Sequence, residues 1–233
     1  ILLPIRENPR SSLFGLINGY QFTGFTGLAS HGAATAAIIA FYLFSRKFKS
    51  LSFFWIVDRV AIVSAIGGAL VRIGNFFNSE INGKPTDEAF LFATKFVRDA
   101  DDMPAYQAVS LTKESSADAA YKAIASDPAF NEILEALPIR HPVQLYEAFA
   151  YVSIFVLMYF VFYPKQQWRE KPGFLFGFWL STVFASRFVL EYFKKSQGGF
   201  EETLGLLSTG QWLSIPLVLA GVYLMFRPQP AQP

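Results

Sequence analysis

Residues 60–87 read VAIVSAIGGALVRIGNFFNSEINGKPTD. The first eleven are apolar or small, and such a run belongs in lipid. The same run then takes on Arg72 and Asn75, and the segment beyond it carries Asn78, Glu80 and Asn82. A charge inside a membrane helix costs about 3 kcal/mol or more unless it is paired or wetted, so its presence marks a site.

The rest of the chain agrees with a membrane setting. Of 233 residues, 52% are hydrophobic, 17% aromatic and only 16% charged, and the mean hydropathy is +0.31. That balance is too apolar for a soluble domain. A net charge of +2 gives no footprint for nucleic acid. With no cysteine there is no disulfide frame or thiolate site, and two histidines without HExxH spacing argue against zinc. No metal and no cofactor is expected. The first residue is Ile1, and the chain reads as starting inside a longer membrane protein.

The sequence predicts an all-α polytopic membrane protein with five spans. The first is LASHGAATAAIIAFYLF at 28–44, and the second covers 60–77, with Ala61, Ala65 and Ala69 at a spacing that lets another helix approach. HPVQLYEAFAYVSIFVLMYFVFY at 141–163 is a third, 174–193 a fourth and 209–226 a fifth. The layout is an outer-side loop at 1–27, two spans with the polar block at 28–78, an insert at 79–140, three spans at 141–227 and a tail at 228–233. The insert carries eleven acidic and six basic residues, and its helical stretches are broken at Pro128. Arg46, Lys47 and Lys49, then Lys165, Arg169 and Lys171, then Arg227 fall on one side, which is the cytoplasm. The insert then faces outward. Lys194 and Lys195 sit on the outer side against that rule.

At about 1.5 Å per residue, His31 lies about 4–5 Å below the outer end of its helix, Arg72 about 7–8 Å and Arg187 about 9 Å. Three polar side chains from three helices thus share one depth. Two arginines there call for an anion, and a phospholipid phosphate is the commonest one at that level. Arginine suits it through its planar, bidentate fork. Plainer readings stand beside this one. Either arginine can snorkel to the interface. Arg187 and Glu191, four apart, can form an ordinary ion pair. His31 can be a packed, hydrogen-bonded residue, Asn75 can bridge two helices, and Gly83 with Pro85 can simply turn the chain. A lipid or anion transporter with an intramembrane arginine site is the alternative function. It predicts polar groups spread through the membrane depth, whereas the inner halves of these spans are almost free of charge.

Five blocks occur in order: SHGAATAAI (30–38), RIGNFFNSEINGKPTD (72–87), RHPVQLYEA (140–148), SRFVLEYFK (186–194) and LGLLSTGQWLSIPLVLAG (204–221). Together they resemble the bacterial prolipoprotein diacylglyceryl transferases. The resemblance implies transfer of a diacylglyceryl group from phosphatidylglycerol to the lipobox cysteine thiol of a prolipoprotein signal peptide. A thioether forms and glycerol phosphate leaves. It implies seven spans in the complete protein, two of them before Ile1. It also implies a multi-pass protein of the bacterial cytoplasmic (inner) membrane, with membrane lipids as neighbours and the site open toward the outer leaflet. Carried over by motif, His31, Arg72 and Arg187 are the catalytic residues, and Arg72, Asn75, Glu80, Gly83 and Glu191 bind substrate. The chain departs from the family pattern at Ala33 (HGA for HGG). Val183 and Phe184 stand where a tyrosine is common, and Lys194 where an arginine is common.

Overall fold

The computed structural model describes residues 30–195 and 207–228. The loop expected at 1–27 and most of the tail expected at 228–233 lie outside the described residues. The chain divides into two units, Ile1–Phe53 and Phe54–Pro233. In the first, α1 covers Ser30–Lys47 and ends on Arg46 and Lys47, cations suited to a helix C-terminus.

The second unit is built around membrane-length helices. α2 (Phe53–Phe77), α6 (Val143–Val156, continued by a π-helical stretch to Phe162), α8 (Phe174–Leu190, tightened to a 3₁₀ turn at Glu191–Phe193) and α9 (Thr209–Phe226) are each long and apolar enough to cross a bilayer. α1 does not meet that measure, so the described structure supports four of the five expected spans. The architecture is that of an all-α polytopic membrane protein.

α2 starts seven residues earlier than the apolar run predicts, and it takes Asp58 and Arg59 into the helix. Asp58 is only 1% exposed. Its carboxylate accepts from the backbone N–H of Gly173 at 2.7 Å and of Phe176 at 2.8 Å. It therefore caps the first turn of α8 from a neighbouring helix, where an anion suits the helix N-terminus. Arg59 stacks on Trp55 at 3.6 Å. A satisfied carboxylate does not end a helix, which is why α2 runs through it.

The core lies where Ala61, Ala65 and Ala69 let α6 and α8 come close. They pack with Tyr151, Ile154, Met158, Phe174, Leu175 and Val183. α8 and α9 approach still more tightly. A Cβ on Gly177 would stand 2.6 Å from the Gly221 carbonyl, and one on Gly221 would stand 2.6 Å from the Gly177 carbonyl. In lipid such close packing is the main attraction between helices.

Between α2 and α6 the chain forms a small extramembrane body. It holds α3 (Ala105–Thr112), α4 (Ala117–Ser126), a 3₁₀ turn at Pro128–Phe130 and α5 (Asn131–Ala136). The helix break falls at Pro128, as its missing N–H predicts. This body has its own core of Met103, Ala108, Ala120, Tyr121, Ile124 and Leu137. Two short strands, β1 (Thr94–Lys95) and β2 (Ile139–Arg140), pair antiparallel and close its base. The sequence reading did not anticipate them.

Candidate functional site

The polar block after α2 is stitched to the ends of two spans. Pro85 bridges to Arg140, and Gly83 bridges to Lys194. Gly83 donates its N–H to the His141 carbonyl at 3.1 Å, and Lys84 donates to the Phe193 carbonyl at 2.8 Å. A Cβ on Gly83 would strike the His141 carbonyl and stand 2.7 Å from Val143 Cγ2. Only glycine fits, because two backbones meet there. Ser79 and Ile81 both adopt φ of 58°. For a β-branched residue such as Ile81 that is a strained conformation.

Beneath this seam lies a buried polar layer. Gln144, with no exposed surface, donates through Nε2 to the Glu80 carbonyl and to Asn82 Oδ1, both at 2.7 Å. Asn82 donates onward to Asp99 Oδ2 at 2.9 Å. Arg140 grips Asp102 through Nε at 2.7 Å and Nη2 at 2.6 Å. That bidentate bond, stronger than the burial opposing it, raises the Arg140 pKa above the usual arginine value. The extramembrane body is thus locked onto the span ends.

The centre of the site is Glu147 in the second turn of α6. Its side chain is 1% exposed, and it joins two cations. Arg72 Nε of α2 lies 3.0 Å from Oε2, and Lys194 Nζ lies 2.7 Å from Oε1. Lys194 also reaches Glu191 Oε2 at 3.5 Å. The Glu191 carboxylate presses on Gly210, where a Cβ would stand 2.7 Å from Oε1. That contact sits at the capped start of α9, where Ser208 and Gln211 form a reciprocal capping box. Glu191 therefore faces the positive end of the α9 dipole. Tyr151, one turn along α6 from Glu147, feels the charges of Glu147, Arg72 and Arg187.

The sequence-derived residues fall out as follows. Arg72 and Arg187, from α2 and α8, both act on Tyr151. Glu191 joins the network through Lys194 rather than Arg187. The cause is local: the 3₁₀ turn at Glu191–Phe193 aligns residues three apart. Glu80 is exposed and lines a cleft of about 380 Å³, together with Asn82, Asp99, Asp101, Lys194 and Lys195. Asn75 is half-buried, and its carbonyl holds the Glu80 N–H at 2.9 Å. Gly83 holds the seam. His31 stands in the first turn of α1, in the other unit, and its side chain lies outside the described residues. Glu147, Gln144 and Tyr151 were not singled out from the sequence. Lys194 stands out in the sequence as a cation on the outer side and as a replacement for the family's arginine, but not as a partner of Glu147.

Arg72 and Lys194 share Glu147, Lys194 also reaches Glu191, and the charges of Arg72, Arg187 and Glu147 act on Tyr151. Among the described residues no carboxylate pairs with Arg187. A guanidinium without a carboxylate partner is suited to hold an anion.

Residues 7–227 match the prolipoprotein diacylglyceryl transferase family. The chain is 40% identical over 199 residues to the phosphatidylglycerol–prolipoprotein diacylglyceryl transferase of Tolumonas auensis, covering 85% of this chain and 61% of that protein. It is 35% identical over 226 residues to that of Bacteroides fragilis, covering 97% and 64%. It is 37% identical over 201 residues to that of Chloroherpeton thalassium, covering 86% and 60%. The chain thus spans less than two thirds of the length of these relatives.

Proposed function

The chain belongs to the prolipoprotein diacylglyceryl transferase family, and from that premise we propose that it transfers the diacylglyceryl group of phosphatidylglycerol to the lipobox cysteine thiol of a prolipoprotein signal peptide. The sulfur attacks the glycerol carbon of the lipid. A C–S bond forms as the C–O bond to phosphate breaks, and glycerol phosphate carries off the electron pair. The protein lies in the bacterial cytoplasmic membrane, with the Phe77 end of α2 toward the outer leaflet. The insert at 79–140 is outside, and α1 supplies the fifth span.

The observation that carries this reading is Arg72 tethered by Glu147, with Arg187 acting on the same Tyr151 and paired with no carboxylate among the described residues. Glu147 holds Arg72 by Nε, and the remaining guanidinium N–H groups are the ones that would meet a phosphate. Charge builds on that phosphate as the C–O bond breaks. Fixed cations in a water-poor site stabilise it without reorganising. The acceptor thiol, with a pKa of about 8.5, is mostly protonated at neutral pH. His31 takes its proton as general base. Asn75 and Glu80 orient the headgroup glycerol beside the cleft, Gly83 keeps the seam closed, and Glu191 holds Lys194 toward Glu147.

The test is transfer to a synthetic lipobox peptide by the purified full-length protein in phosphatidylglycerol nanodiscs. Arg187→Gln is expected to slow transfer by about 10²–10³-fold with an unchanged unfolding midpoint. Wild-type turnover in that variant would remove the arginine from the mechanism.

A further inference from the structure

The turn after the polar block puts its apolar residues outward. Leu91 is 86% exposed and Phe92 58%. The turn is nevertheless well tied. Phe90 N–H donates to the Asp87 carbonyl at 3.1 Å, Ala93 N–H to the Phe90 carbonyl at 2.9 Å, and Thr94 Oγ1 to the Phe92 carbonyl at 3.0 Å. A turn this closed presents Leu91 and Phe92 rather than hiding them.

Its position gives the exposure a meaning. The Phe90 ring meets His141 edge-on at 4.9 Å, and His141 meets Phe193 at 5.3 Å. His141 Nδ1 is 3.2 Å from the Tyr146 hydroxyl, in the first turn of α6. Phe193 closes the span Phe174–Phe193, and Val143 opens the span Val143–Phe162. The turn therefore sits against two span ends, at the level where the chain leaves the bilayer. Tyr192 and Phe193 are exposed there too, and Phe149 is exposed one turn down α6. Exposed apolar residues thus occur on α6 at Phe149, at the end of α8 at Tyr192 and Phe193, and at the tip of this turn at Leu91 and Phe92. Aromatic residues at such a level form the interfacial belt of membrane proteins. Asp87, Glu88 and Lys84, all exposed, keep the base of the turn in water and limit its depth.

We propose that Phe90, Leu91 and Phe92 form a membrane-interface anchor that dips into the bilayer beside α6 and α8 and seats the base of the extramembrane body on the lipid. The occupant of the surface is the bilayer boundary itself, between headgroups and acyl chains, held by apolar burial. The proposal is independent of the transfer reaction. An anchor at this point would hold the seam at 83–86 at a fixed height above the polar layer.

None of these 233 residues is a cysteine, and any cysteine elsewhere in the full-length protein is replaced by serine for labelling. A spin label on Leu91→Cys in the full-length protein is compared in nanodiscs with one on Ser115→Cys, an exposed position between α3 and α4. Power saturation against oxygen and a water-soluble nickel chelate reads the depth. The expected result is a label at Leu91 that favours oxygen and a label at Ser115 that favours the chelate. Equal access of the chelate to both would overturn the anchor. A label at Leu91 that is wet in lipid alone, and shielded only when a lipobox peptide is added, would also overturn it by assigning the tip to a protein substrate.

Discussion

Arg72 Nε lies 3.0 Å from Glu147 Oε2, and the two residues come from different spans. The carboxylate is 1% exposed, and its other oxygen bonds Lys194. One buried anion thus fixes the position of two cations. Low dielectric makes the pairing strong and the loss of any member costly.

Glu147→Gln removes that anion and leaves Arg72 and Lys194 facing each other. Breaking a buried pair by removing one partner costs about 3–5 kcal/mol. The unfolding midpoint of the detergent-solubilised protein is expected to fall accordingly, and lipid transfer with it. An unchanged midpoint would mean that the carboxylate is solvated.

Lys194 separates charge from shape. Lys194→Arg keeps a cation between Glu147 and Glu191 and is expected to retain most of the stability. Lys194→Met leaves Glu191 without its ion pair and Glu147 with Arg72 alone. In a double-mutant cycle with Glu147→Gln, the coupling should reach about 0.5–3 kcal/mol. Additive effects would disprove a shared network.

Gly83→Ala places a methyl group against the His141 carbonyl and 2.7 Å from Val143 Cγ2. Overpacking of this kind costs about 1–3 kcal/mol. The seam would open before the spans unfold, so limited proteolysis should cut the insert faster while the spans stay intact. Unaltered cleavage would count against the seam.

The extramembrane body carries a pH signature. Tyr121 donates to the Met103 carbonyl at 3.0 Å, and burial raises its pKa above the usual 10.0. A group whose folded pKa is raised stabilises the fold below its unfolded value and loses that contribution as pH rises through the folded one. The insert is therefore expected to lose stability above about pH 10, and less so in Tyr121→Phe. Tyrosinate absorbance and urea midpoints on either side of that pH check the sign. A variant that loses as much stability as wild type would refute the assignment.

The physical signals of lipid were readable before any coordinates. Ala61, Ala65 and Ala69 declared a close helix contact by spacing, and the structure buries all three. Arg72 and Arg187 stood out because charge in lipid is expensive. What stayed hidden depends on neighbours far apart in the chain. Glu147 follows LY at the start of an apolar helix and reads as a wet end. It is buried, and its ion-pair partners Arg72 and Lys194 lie 75 and 47 residues away. Asp58 lies before the apolar run that begins at 60, and the helix extends through it because two α8 amides satisfy the carboxylate. The four-residue spacing that would let Glu191 pair with Arg187 gives way to a 3₁₀ turn, and Glu191 pairs with Lys194.

The central claim is that Arg72 and Arg187 hold one lipid phosphate. A cryo-EM map of the full-length protein in phosphatidylglycerol nanodiscs tests it most directly. The account predicts a headgroup phosphate within hydrogen-bonding reach of Arg187 and of the Arg72 Nη atoms, with Glu147 still on Arg72 Nε. A phosphate bound elsewhere, or Arg187 neutralised by a carboxylate of the protein itself, would contradict it.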